Sequence, residues 1–175
     1  LYDYRISGMV NSEEVNLKYE NNKNNMKEQI DIKEFSNFDN FKDIGKVKFD
    51  LKVYDRDTGD LANLLERGNK YYNEIKSILN EISGVGVYRN GFRIRPLGDQ
   101  GYDWLKLDQK RVQNPSMKIG LNQIVGFIEI ESEEISHLEE KSARDGLKEN
   151  WAYEYLLQLF DAVINELEQR RFKYR

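Results

Sequence analysis

The chain has 175 residues, of which 39% are hydrophobic, 12% aromatic and 33% charged, with a formal net charge of −4 and no cysteine. That is length enough for one domain with its own core, and the missing cysteines exclude disulfides, thiolate nucleophiles and cysteine zinc sites while fitting a reducing, cytoplasmic setting. The acidic balance argues against a general nucleic-acid binder, and no apolar run approaches the roughly 20 residues that span a bilayer, so no membrane partner is expected.

The opening Leu1-Tyr2-Asp3-Tyr4-Arg5 has neither the basic start nor the apolar middle of a signal peptide. It lacks an initiator Met and runs straight into Ile6-Ser7-Gly8-Met9-Val10, which reads as a strand, so an excised piece of a longer protein is expected. Residues 11–45, centred on Asn21-Asn22-Lys23-Asn24-Asn25, are polar enough to predict a mobile insertion or long loop. Inside it Phe35, Phe38 and Phe41 recur every three residues, the spacing of one short helical turn docked on the core. Val47, Phe49, Leu51 and Val53 then alternate with Lys48, Asp50, Lys52 and Tyr54, a strand with one wet face. Asp57-Thr58-Gly59-Asp60 predicts a turn and helix cap. Apolar residues from Leu61 through Leu79 to Ile82 follow at three-and-four spacing, a long amphipathic helix interrupted at Gly68.

Gly86-Val87-Tyr88-Arg89 and Phe92-Arg93-Ile94-Arg95 flank Asn90-Gly91, two residues that tolerate the positive φ of a two-residue hairpin turn. That register sets Val87 opposite Ile94 and Tyr88 opposite Arg93. After a polar connection holding Asp103-Trp104-Leu105, residues Ile124 to Ile130 read as a largely buried strand. A final helix from about Asn150 carries Ala152, Leu156, Leu159, Phe160, Val163 and Leu167 on one face. The order predicts a single α+β domain over 1–175, one mainly antiparallel sheet with helices packed on one side.

The usual catalytic sets are missing. His137 is the only histidine, so no histidine-paired nucleophile or multi-histidine metal site can form within one chain, and its acidic surroundings suit a solvated surface residue. Alternation puts Glu129 and Glu131 on one face, where an acidic solvated edge is the commoner outcome than a glycosidase pair. Charge is nevertheless polarised: Gly84 to Gly120 holds seven Lys/Arg against three Asp, and Glu129 to Glu149 holds eight Asp/Glu against three Lys/Arg. Arg89, Arg93 and Arg95 offer guanidinium forks for phosphate or carboxylate, with surface solubility as the plain alternative. Lys141-Ser142-Ala143-Arg144-Asp145-Gly146-Leu147 reads as a loop projecting a charged tip between a strand and a helix.

Four stretches carry a resemblance: Gly84-Val85-Gly86-Val87-Tyr88-Arg89-Asn90-Gly91-Phe92-Arg93-Ile94-Arg95-Pro96; Asp103-Trp104-Leu105-x-Leu107-Asp108; Asn122-Gln123-x-x-Gly126-Phe127; and Arg144-Asp145-Gly146-Leu147-x-Glu149-Asn150. Together they are similar to the region after the ATP-binding module in bacterial ATPases of the GHKL (gyrase/histidine-kinase/MutL) superfamily, related to the MORC proteins. The resemblance covers about residues 84–155. It implies a transducer domain with a sandwich like the second domain of ribosomal protein five, including a left-handed strand-helix-strand crossover against the usual hand. It implies that a lysine from a transducer loop contacts the γ-phosphate of ATP held by the preceding domain in the same chain; Lys141 is the matching position, Arg144 the second choice, and Gln123 a further nucleotide-contacting residue. ATP and Mg²⁺ would belong to the full-length protein, which would dimerise, and this fragment alone would be no enzyme. The family's acidic base, Mg²⁺-binding Asn and Asp-x-Gly-x-Gly adenine loop have no match: Glu20-x-x-x-Asn24 has the first spacing but lies in an Asn/Lys tract with no such loop after it. The alternative is a non-enzymatic binding module using the Arg89/Arg93/Arg95 face, with Tyr88, Phe92 and Trp104 as stacking surfaces, for nucleic acid or an acidic protein partner.

Overall fold

Alternating apolar residues build one sheet. In the computed structural model, which describes residues 1–35, 38, 41–57, 59, 61 and 72–174, the strands are β1 (Tyr4–Val10), β2 (Val15–Asn21), β3 (Met26–Asp31), β4 (Val47–Val53), β5 (Gly84–Arg89), β6 (Phe92–Arg93) and β7 (Ile124–Ile130). Their order across the sheet is β3-β2-β1-β4-β7-β5-β6. Neighbours are antiparallel except β5 and β7, which run parallel. The described helices are α1 (Tyr72–Ile82), α2 (Leu107–Gln113), α3 (Glu133–Ser136) and α4 (Trp151–Lys173), with a short 3-10 turn at Leu121–Gln123. This is the α+β class expected, with a mainly antiparallel sheet.

The stretch 11–45 corrects the sequence reading, because most of its first half is sheet. Val15, Leu17 and Tyr19 are buried and alternate with exposed Asn16 and Lys18, and β2 pairs in full register with both neighbours. The Asn-rich tract is the turn between β2 and β3. Asn21 Oδ1 accepts from Lys23 N at 3.0 Å, Asn24 Oδ1 accepts from Met26 N at 3.1 Å, and Asn25 takes a φ of 56°. Side chains that bond their own backbone two residues on, or tolerate the left-handed region, make turns. Phe35 is buried and Phe38 and Phe41 pack against the core, their centroids 5.1 to 6.2 Å apart. The helical turn expected through them spans positions outside the described residues, as do two of the four positions of the cap at 57–60 and the helix around Gly68.

Two apolar clusters hold the layers together. On one face, α4 presses Ala152, Leu156, Leu159, Phe160, Val163 and Leu167 onto Ile6, Leu17, Leu51 and Ile128, all at most 1% exposed. Burying such side chains stabilises by about 1.5–3 kcal/mol each. A smaller cluster joins Tyr54, Leu61 and Leu79 with Val125, whose side chain alternates to the face opposite Ile124 and Ile128.

The far end of α4 is fastened by charge. Asp55 is fully buried, and its Oδ1 accepts from Arg171 Nε and Nη2 at 3.0 and 2.6 Å. Its Oδ2 accepts from Tyr4 Oη at 3.0 Å and Lys23 Nζ at 2.6 Å. Burial alone would raise the Asp55 pKa; Arg171 and Lys23 outweigh it and hold the carboxyl below its ordinary range. Burial beside that carboxylate pushes the Tyr4 hydroxyl up to about 12. Removing either member of such a pair strands a buried charge, at about 3–5 kcal/mol.

Candidate functional site

The carboxyl-terminal ends of β5 and β7 lie side by side, with Arg89 paired to Ile130. Arg89 spends its guanidinium on the segment that follows β7. Nε donates to Glu131 O at 2.9 Å and Nη2 to Ser136 Oγ at 3.4 Å and to Leu138 O, and Nη1 lies 3.6 Å from Glu140 Oε1. It is a staple inside the chain, which removes it from the ligand-facing role considered for it.

The hairpin forms as its turn residues dictate. Asn90 and Gly91 take φ of 51° and 79°, Tyr88 pairs with Arg93, and Ile94 N donates to Val87 O at 2.8 Å. Arg93 and Arg95 converge on Asp99, at 3.2 and 2.9 Å. One carboxylate serves two guanidiniums there, leaving net positive charge on the hairpin. Phe92 is 79% exposed at the tip.

The stretch 140–147 is a closed loop. Glu140 bridges to Leu147, Lys141 N donates to Gly146 O at 2.9 Å, and Arg144 N donates to Lys141 O at 2.8 Å. Arg144 and Gly146 supply the positive φ that such a tight reversal needs, at 55° and 124°. Residues 141–145 are exposed while Gly146 and Leu147 are buried, so the loop presents its cations and anchors its base. Among the described residues the Lys141 ammonium has no ion-pair partner. Arg144 and Glu140 face Phe92, Arg93 and Arg95 across a cavity of about 510 Å³. Three guanidiniums set against the Glu140 and Asp99 carboxylates suit an anionic group brought from outside.

Gln123 does not join them. It sits just before the amino end of β7, and the strand's six residue steps at about 3.3 Å set its two ends some 20 Å apart. Its side chain is buried and bonds backbone, with Oε1 accepting from Gly120 N at 3.0 Å and Nε2 donating to Tyr54 O at 3.5 Å. The structure therefore unites Lys141 with Arg144 and separates Gln123 from both.

Other residues singled out in the sequence have structural work. Glu129 lies 3.8 Å from Lys48 Nζ, and Glu131 Oε2 accepts from Lys46 N at 2.9 Å. His137 is exposed with its ring 5.4 Å from that of Trp151, and Trp104 donates Nε1 to Val85 O at 2.8 Å from a buried position. Among the described residues no three His, Cys, Asp or Glu side chains are grouped to hold a metal ion, and no helix is long and apolar enough to cross a membrane. Sequence reasoning missed the Asp55–Arg171 pair, whose members lie 116 residues apart with no local signal to join them. Comparison of the chain with protein-family profiles, curated proteins and solved structures finds no match.

Proposed function

We propose that this chain is the transducer domain of a GHKL-type ATPase, in which Lys141 reaches the γ-phosphate of ATP held by a preceding domain. The observation that carries the reading is the closed 140–147 loop, with an unpaired lysine at an exposed tip and a buried base. A cation that touches only the third phosphate distinguishes ATP from ADP and stabilises charge as the phosphoryl group transfers. The α+β fold and the hairpin geometry agree with the resemblance.

The loop is also built to pass on what it senses. Its base pairs Lys148 N with Glu139 O at 2.8 Å, and Asn150, which caps α4, donates Nδ2 to His137 O at 2.8 Å. A pull on Lys141 thus bears directly on the first turn of the longest helix, the kind of contact that couples nucleotide state to domain geometry. On this reading ATP and Mg²⁺ sit in the preceding domain, dimerisation belongs to the whole protein, and the isolated chain binds neither ligand.

The test is Lys141→Ala in the protein that carries both domains. Steady-state ATP turnover should fall by about 10²-fold, the usual loss for one donor to a developing charge, with the fold unchanged by circular dichroism. Unchanged turnover removes the assignment.

A second reading is favoured by one feature, the pairing of Phe92, 79% exposed, with Arg95, whose side chain is 66% exposed. An exposed aromatic near a largely exposed guanidinium, here anchored by Asp99, is a stacking platform for single-stranded nucleic acid. Salt-sensitive retention of the chain on single-stranded DNA, lost in Phe92→Ala, supports it, and absence of retention at low salt rejects it.

A further inference from the structure

A second charged cavity, of about 210 Å³, opens at the amino-terminal end of β7, the end remote from Lys141. Arg56, Arg111 and Arg171 line it together with Asn122 and Gln123. Among the described residues its single acidic lining residue is Asp57, which is exposed.

Each arginine is fixed by a different device. Arg56, three residues beyond β4, donates Nη1 to Asn122 O at 2.8 Å and Nη2 to Asn80 Oδ1 at 2.7 Å. Arg171, only 2% exposed, gives Nε and Nη2 to Asp55, and its buried Nη1 has no hydrogen-bond partner. Arg111 stands in the last turn of α2 and lies over Gly120, where a Cβ would come within 2.8 Å of Nη1. Among the described residues Arg111 has no ion pair. The wall between them is rigid, because the 3-10 turn is closed by Gln123 Oε1 on Gly120 N and tied to β4 by Tyr54 N on Gln123 O at 2.8 Å.

Arg171 is already balanced by Asp55, whereas among the described residues Arg56 bonds neutral oxygens and Arg111 has no ion pair, so two guanidiniums stand at the cleft without a carboxylate bonded to them. Burial pulls the Arg56 pKa below its ordinary value. An anion held between Arg56 and Arg111 supplies the opposite charge that they lack. The unpaired Arg111 fork, with the Arg56 charge fixed on a separate element by its bonds to Asn122 and Asn80, suits a tetrahedral, doubly charged group better than a flat, singly charged one. The volume equals roughly seven waters at about 30 Å³ each, room for one phosphate group and its nearest waters.

We infer that this cleft is a binding site for a phosphate-class oxyanion, with Arg111 as its fork, Arg56 as a second fixed cation and the Arg171–Asp55 pair as its back wall. It is separate from the Lys141 loop and does not depend on the ATPase reading.

The experiment is a nuclear magnetic resonance titration of the isotope-labelled chain with inorganic phosphate against chloride at constant ionic strength. Saturable shifts should appear at the amides of Gly120 to Gln123 and at the Arg111 and Arg56 side chains, with Kd near about 1 mM. Arg111→Ala should weaken binding about tenfold and Arg111→Lys less, since lysine keeps the charge and loses the fork. Lys141→Ala should leave Kd unchanged. Sodium acetate serves as the carboxylate arm and should leave these resonances in place. Shifts confined to 141–147, equal response to acetate, or undiminished binding in both Arg111 variants overturn the assignment.

Discussion

Asp55 and Glu168 are both buried carboxylates near the end of α4, yet they titrate in opposite directions. Burial raises both, but Asp55 bonds Arg171 and Lys23 and ends below its ordinary 3.8, while for Glu168 burial outweighs Lys118 Nζ at 3.0 Å, Ile119 N at 3.1 Å and the Arg171 charge, and it ends above 4.5. The signs follow from linkage. With its folded pKa depressed, Asp55 contributes stability that is fully present above about 3.8 and is lost as pH falls through the folded value. With its folded pKa raised, Glu168 binds a proton more readily folded than unfolded, so its contribution is greatest at low pH and declines as pH rises from about 4.5 through the folded value. Urea unfolding from about pH 7 to about pH 3 should therefore show Asp55→Asn losing about 3 kcal/mol or more at neutral pH, with the gap to the parent narrowing in acid. Glu168→Gln should instead gain on the parent as pH rises. A gap that stays constant with pH in both variants would mean that neither carboxylate titrates as its surroundings dictate. Neither pair was legible in the sequence, because Asp55 looks like one more turn residue beside Asp57, and Glu168 like one more charge on a helix.

At the scale of elements, legibility tracked how local the cause is. The β5–β6 hairpin was readable because Asn90-Gly91 fixes the turn and the turn fixes the register. β4 was readable from period two, β7 from its apolar run and α4 from period 3.6. β2 and β3 were not, although Val15, Leu17 and Tyr19 alternate cleanly: the Asn/Lys tract between them reads as a solvated loop until its side chains are seen bonding their own turn. Nor was α2, which hides in a polar connection. Gly126, noted in the sequence only as part of a motif, has a packing reason of its own. A Cβ there would stand 2.4 Å from Asp50 O and 2.9 Å from Leu51 Cα, both backbone of the neighbouring strand, so β4 and β7 must separate to admit it. Gly91→Ala meets nothing within 4 Å and bears only the strain of its positive φ. Thermal or urea unfolding should thus show Gly126→Ala costing about 3 kcal/mol and Gly91→Ala about 1 kcal/mol. Equal costs would show that the sheet yields at β7 more easily than its backbone contacts imply.

Across the whole molecule, α4 is the strut that joins the two charged ends. Its 23 residues extend about 35 Å at 1.5 Å per residue. Asn150 ties the first turn to the segment carrying Lys141, through Tyr153 N at 3.0 Å and His137 O at 2.8 Å. At the other end Arg170 Nε reaches Glu28 on β3 at 2.8 Å, and Arg171 locks onto Asp55 past the end of β4. The apolar face and the Lys110 Nζ bond to Asp161 Oδ1 at 2.5 Å hold the middle of the helix, and these two arginines fasten the last turn. Deleting residues 170–175 leaves that apolar face intact, takes the Arg171 fork from a fully buried carboxylate and frees Glu28 at the sheet edge. The expected result is a loss of about 3–5 kcal/mol in global stability. It should be accompanied by faster amide hydrogen exchange in β3 and β2 than in β5 and β7, since edge strands open before the centre once their lateral tie is cut. If the truncated chain keeps the parent's unfolding midpoint, α4 is held by its apolar stripe alone, and the arginines only decorate its end. If stability falls but exchange quickens uniformly, the sheet and helix open as one unit. A force applied at Lys141 would then be felt at β3 as strongly as at the first turn of α4.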